Sequence, residues 1–198
     1  ANPATIKQVE SVGSQVGGEM YQNSLLAIGL SLFLMMIYVA FRFRMKLAVG
    51  AVVSLVHDVL FTVGAFAIFG FPFDLTVLAA VLALIGYSLN DTIVIFDRVR
   101  ENFRKLRKAD AIEIVDISLT ETLRRTIMTV GTVLVVVVAM LWLGGPALRW
   151  FSVAMMIGLF AGTYSSIYIA TSYALMMGLD KEDFIEKPKS ELVEETFD

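Results

Sequence analysis

One carboxylate stands where a carboxylate is expensive. Asp91 lies in the run LIGYSLNDTIVIF, inside an apolar stretch long enough to cross a bilayer, and ionisable side chains in such positions mark proton relays and ion paths. A carboxylic acid there can exist neutral or charged, so proton binding and release is the chemistry it offers. Tyr87 and Ser88 lie four and three residues before it, on the same helical side. A second acid, Asp58, is flanked one turn away by Ser54 and Thr62 and sits next to the only histidine, His57. Two acids on adjacent antiparallel spans suggest a relay, with an interhelical hydrogen bond as the alternative for Asp58. Neighbouring residues point about 100° apart on a helix, so His57 need not share the cavity of Asp58. Arg125, at the start of the next apolar run, is the natural counter-charge for Asp91, and it shares a face with Thr129 and Thr132. The proton pathway read from the residues is therefore Asp91 and Arg125, with Asp58, Ser88, Tyr87 and His57 beside them.

Five apolar stretches position these groups: residues 24–41, 47–69, 75–96, 126–143 and 150–177. Each reaches the roughly 17 residues that a hydrocarbon core demands. With 57% hydrophobic residues and a mean hydropathy of +0.74, the chain reads as an all-α integral membrane protein, a polytopic helical bundle. The last stretch carries Ala154, Gly158, Gly162, Ser166, Ala170 and Ala174 at four-residue intervals. Such a small-residue stripe lets helix backbones approach closely, so Gly158, Gly162 and Ser166 are expected to pack helices.

The sixteen Lys and Arg residues are distributed unevenly. Fourteen fall after the first span, between the third and fourth, or after the fifth; only Lys7 and Arg149 fall elsewhere. By the positive-inside rule this places residue 1 outside and the C-terminus in the cytoplasm. An outside start without an apolar leader suggests a further span upstream, six in the full protein. The expected domains are then the end of an extracytoplasmic domain over 1–22, in which Ile6, Val9 and Val12 alternate like a short strand, the bundle over 23–178, and a cytoplasmic tail over 179–198. The basic, amphipathic connection 97–125 is expected to lie at the cytoplasmic surface against anionic lipid. Within it Ile112, Val115, Leu119 and Leu123 recur at helical spacing. Ser118 and Glu121 have capping-box spacing, so a helix is expected to restart at Ser118.

Other chemistries fail at particular positions. There is no cysteine, hence no disulfide framework or thiolate metal site, and no metal or cofactor is expected. The segment around Ser88 has Asn90 where a nucleophile elbow needs glycine. The chain is therefore not expected to be an enzyme.

Taken in order, VESVGSQVG, YVAFRFR, SLVHDVLFTVGAFAIFG, GYSLNDTIVIFDRVRENFRK, SLTETLRRTIMT, LGGPAL and IGLFAGTYSSIYIA closely resemble the SecD/SecF family of bacterial protein-export membrane proteins, within the resistance-nodulation-division superfamily. The resemblance implies six spans, a periplasmic domain and use of the proton motive force to promote protein export across the inner membrane. It implies SecD as partner, the SecYEG translocon with YajC or YidC nearby, and a translocating preprotein; no nucleic acid is implied. Carried over by residue, the family's proton-relevant acid falls on Asp91 and its functional arginine on Arg125. A proton-coupled small-molecule exporter half and a passive scaffold subunit are the alternatives.

Overall fold

The structure, a computed structural model, describes residues 14–43, 45–106 and 108–184. Its helices are α1 (Ser14–Arg42), α2 (Met45–Phe69), α3 (Leu75–Lys105), α4 (Ala111–Leu143) and α5 (Gly145–Tyr164), which continues through a π-helical turn, Ser165–Ile169, into α6 (Ala170–Met176). No strand occurs among the described residues. Five helical runs, the last being α5 to α6, are long and apolar enough to span a membrane, where an α-helix satisfies its own backbone hydrogen bonds. The chain is a multi-pass helical membrane protein. Residues 1–13 and 185–198, including the alternation at Ile6, Val9 and Val12 and most of the expected tail, lie outside the described residues.

Short turns make consecutive helices antiparallel. At the end of α2 the chain turns left-handed at Gly70 (φ 64°), and the Phe71 N–H reaches back to the Phe66 carbonyl at 2.9 Å, a glycine-dependent helix stop. Asp74 then caps α3, its side chain accepting from the N–H groups of Thr76 and Val77, both at 2.9 Å. Consequently Arg42, Lys46, Arg98 and the start of α4 gather at one basic end, while Gly70, Pro72 and Gly145 lie at the other.

The apolar spans extend at the basic end beyond the stretches read from hydropathy. α3 continues to Lys105, and α4 is capped at its start by Asp110, whose side chain accepts from the Glu113 N–H at 2.7 Å. Ser118 is thus mid-helix and caps nothing: its hydroxyl donates to the Ile114 carbonyl at 2.6 Å. The expected restart at Ser118 is wrong because the two polar arms pair with each other. Buried Asn102 donates to Ser118 Oγ at 3.0 Å and to Glu121 at 2.8 Å, and Arg98 donates to Glu121 at 2.6 Å. The inward face of this arm is Ile114, Val115, Ser118, Thr122 and Thr126, whereas Ile112 and Leu123 are exposed.

The α5–α6 run packs against α2, α3 and α4. The six residues of its four-residue stripe, Ala154, Gly158, Gly162, Ser166, Ala170 and Ala174, are all buried. On an ideal helix a four-residue repeat drifts by roughly 40° per step, and five steps would swing it half-way round. The π-turn inserts an extra residue into one turn and so offsets much of that drift; the N–H of Ala170 bonds back to the Ser165 carbonyl. Both halves of the stripe therefore face the bundle. A β-carbon at Gly158 would collide with the Leu84 side chain, and one at Gly50 with the Ala170 carbonyl.

Candidate functional site

Asp91 lies on α3, 4% exposed, and is turned towards α4. The groups on α4 that act on it are Thr129 and, one turn earlier, Arg125, the latter as a charge rather than as a donor. Arg125 itself is exposed on the outer side of α4, as is Arg124. The Thr129 hydroxyl donates to the Arg125 and Thr126 carbonyls, at 3.1 and 3.0 Å. The Tyr87 hydroxyl is buried next to Thr129 without a well-aligned hydrogen bond. Asp91, Thr129, Tyr87 and Arg125 thus form one polar group across the α3–α4 contact. A protonated carboxyl in that place can donate to the Thr129 oxygen, and an ionised one can accept from Thr129 once the hydroxyl turns from those carbonyls, with Arg125 as the fixed charge acting on the site.

Asp58 belongs to a second group. It is fully buried on α2, and its Oδ2 accepts from Ser88 Oγ at 2.6 Å. Ser165, on the π-turn, supplies another hydroxyl, and Ser54 Oγ donates to Ser165 Oγ at 3.2 Å. His57 does reach it, Nδ1 lying 3.2 Å from Oδ1, while the ring stacks on Phe61 and its side chain is one-third exposed. Ser166 joins through its hydroxyl, 2.9 Å from Thr92 Oγ1 and 3.4 Å from the Ser88 carbonyl. It therefore bonds as well as packs.

Ser88 is thus not the companion of Asp91 that its spacing suggests. Three residues along a helix leave a 60° difference in direction, and here that separates Ser88, facing Asp58, from Asp91, facing α4. Tyr87 goes with Asp91. Thr129 was legible as a partner only through its four-residue spacing from Arg125, and Ser165 carries no signal in the sequence, because its place depends on the π-turn. Among the described residues no three His, Cys, Asp or Glu side chains converge to hold a metal ion.

The sequence model described as "Protein export membrane protein SecD/SecF, C-terminal" matches residues 1–180. The protein translocase subunit SecF of Pseudomonas aeruginosa is 52% identical over 194 residues, 98% of this chain and 63% of that protein. SecF of Escherichia coli O157:H7 is 45% identical over 93% of this chain and 57% of its own length. The crystal structure of SecDF from Thermus thermophilus, described as a translocon-associated membrane protein, superposes with a TM-score of 0.79 at 40% identity; the match covers 84% of this chain and 23% of that one. The chain spans roughly 60% of the length of these curated relatives. With a family match over nine-tenths of its residues and identities near half, the chain belongs to the SecD/SecF family of protein-export membrane proteins.

Proposed function

We propose that this chain is the membrane bundle of a subunit that works with SecD to promote protein translocation, driven by the proton motive force, beside the SecYEG channel of the bacterial inner membrane. The observation that carries the proposal is Asp91: a buried carboxyl on a membrane-spanning helix, turned towards a neighbouring helix that carries a hydroxyl and, at an exposed position, an arginine whose charge acts on it. Asp91 binds and releases the proton, Arg125 stabilises its ionised form, and Thr129 and Tyr87 orient it. One charge moved through 100 mV is worth about 2.3 kcal/mol, enough to bias a helix pair between two arrangements. The relatives' names, protein translocase subunit SecF and SecDF, direct that work to polypeptide export. In this scheme the basic end is cytoplasmic, its exposed cations face anionic lipid, and YajC, YidC and the moving preprotein are further neighbours. No metal or cofactor takes part.

One observation favours a small-molecule exporter. An apolar groove of about 640 Å³ runs between α1 and α2, lined by Leu25, Ile28, Leu32, Val59, Val63 and Phe66 among others. Its size suits a drug-sized ligand, but no charged side chain among the described residues lines it, and it is separate from the Asp91 group. Lipid tails account for it better. The test is proton flux: liposomes holding the full-length protein with SecD should show proton-gradient dissipation that Asp91→Asn removes, while added hydrophobic cations leave the flux unchanged. Equal flux in the Asn variant would reject Asp91 as the proton carrier.

A further inference from the structure

Asp58 is 0% exposed, and the groups around it explain what it can do. From α3 comes the Ser88 hydroxyl, from the π-turn the Ser165 hydroxyl, and from its own helix His57; no lysine or arginine acts on it among the described residues. There is little spare room: a β-carbon on Gly162 would lie 3.4 Å from Asp58 Oδ2 and 3.2 Å from Ser88 Oγ. A carboxyl so enclosed has a hydrogen-bonding role before it has a transport role.

That role bears on Asp91. Ser88 precedes Asp91 by three residues on α3, and Thr92 follows it directly. Both are held from the same side, Ser88 by Asp58 at 2.6 Å and Thr92 by Ser166 at 2.9 Å. Ser166 also bonds to the Ser88 carbonyl. Fixing Ser88 and Thr92 sets the rotation of this turn of α3 about its axis. With that rotation set, Asp91, about 60° round from Ser88, is presented to Thr129 and Arg125.

We propose that Asp58 is a positioning residue for Asp91: by holding Ser88 it fixes the turn of α3 that aims Asp91 at α4, with the serines of the π-turn as a second hold. The proposal rests on Asp91 being the proton-binding group. Asp58 carries no proton through the membrane in this scheme. It governs how readily Asp91 does so.

The test uses the full-length protein with SecD in lipid nanodiscs, labelled with carboxyl-¹³C aspartate. The Asp91 infrared band, identified by its loss in Asp91→Asn, is titrated in Ser88→Ala, Asp58→Ala and Asp58→Asn. The amide oxygen of Asp58→Asn still accepts from Ser88. Ser88→Ala and Asp58→Ala should each move the Asp91 midpoint by about one pH unit, tenfold in proton affinity, and cut gradient-driven precursor movement about tenfold. Asp58→Asn should stay within roughly a third of a unit of wild type. An unmoved midpoint in both alanine variants would overturn the proposal. So would a shift in Asp58→Asn as large as in Asp58→Ala with Ser88→Ala silent, since the charge of Asp58 would then be the agent. Should Asp58→Ala fail to accumulate, Ser88→Ala decides alone, because it removes one hydroxyl and no charge. The proton reading of Asp91 fails separately, through wild-type translocation in Asp91→Asn, and the infrared titration still decides whether Asp58 positions Asp91.

Discussion

Gly50 and Gly64 lie on the same helix, and substituting each by alanine separates packing from propensity. At Gly50 the new methyl would fall on the Ala170 carbonyl oxygen, with the Ala174 backbone nitrogen at 3.5 Å; at Gly64 nothing lies within 4 Å. Backbone cannot rotate away as a side chain can. Restoring an ordinary carbon–oxygen separation of roughly 3.3 Å means parting α2 from α6 by about 1 Å. Overpacking of this kind costs about 1–3 kcal/mol, while alanine gains up to about 1 kcal/mol over glycine within a helix. The propensity gain is common to both variants, so they should differ by the overpacking cost alone, about 1–3 kcal/mol, with Gly50→Ala the weaker. At roughly 2–4 °C per kcal/mol for a chain of this size, their melting midpoints should differ by at least about 2 °C. Gly158→Ala should fall between them, because Leu84 can change rotamer. The assay is thermal denaturation of the detergent-solubilised complex followed by fluorescence-detected gel filtration. Midpoints within about 1 °C of each other for Gly50→Ala and Gly64→Ala would refute the close α2–α6 approach.

Gly162→Leu should lower the yield of folded protein before it affects assembly with SecD, because its side chain would enter the Asp58–Ser88 contact inside the chain; normal yield with lost SecD co-purification would contradict this. Asn102→Ala leaves the buried Ser118 hydroxyl without its donor and should cost about 1–3 kcal/mol in the same melting assay, whereas Glu121→Gln, at an exposed position, should change the midpoint little. A reporter fused after Lys108 should be active only in the cytoplasm and one inserted at Gly145 only outside; the reverse pattern would invert the proposed topology.

The spans were legible because a bilayer admits few solutions: each long apolar run had to be a helix. What the runs did not reveal was their polar extensions, since α3 to Lys105 and α4 from Ala111 are held by Asn102, Ser118 and Glu121 across the hairpin. Capping-box spacing at Ser118 misled because the same pattern arises mid-helix wherever a serine bonds to the carbonyl four residues back. Asp91 and Arg125 stood out through the cost of a buried acid and the order of the spans. The partner of Ser88 did not, because a 60° difference in direction decides between α2 and α4, and only packing sets the rotation of α3. The π-turn left a faint trace: a strict four-residue repeat lies between the α-helical and π-helical periods and asks for such an insertion.

The central claim is that Asp91 couples a proton gradient to export. Its most direct test is movement of a secretory precursor into inverted membrane vesicles that contain the full-length protein with SecD, measured with and without an imposed proton gradient. Asp91→Asn keeps the size of the side chain but cannot ionise, so these vesicles should retain complex assembly and basal translocation while losing the gradient-stimulated part. Arg125 variants should lose less of it. Stimulation of Asp91→Asn vesicles equal to wild type would contradict the account and leave Asp91 as a helix-bridging residue only.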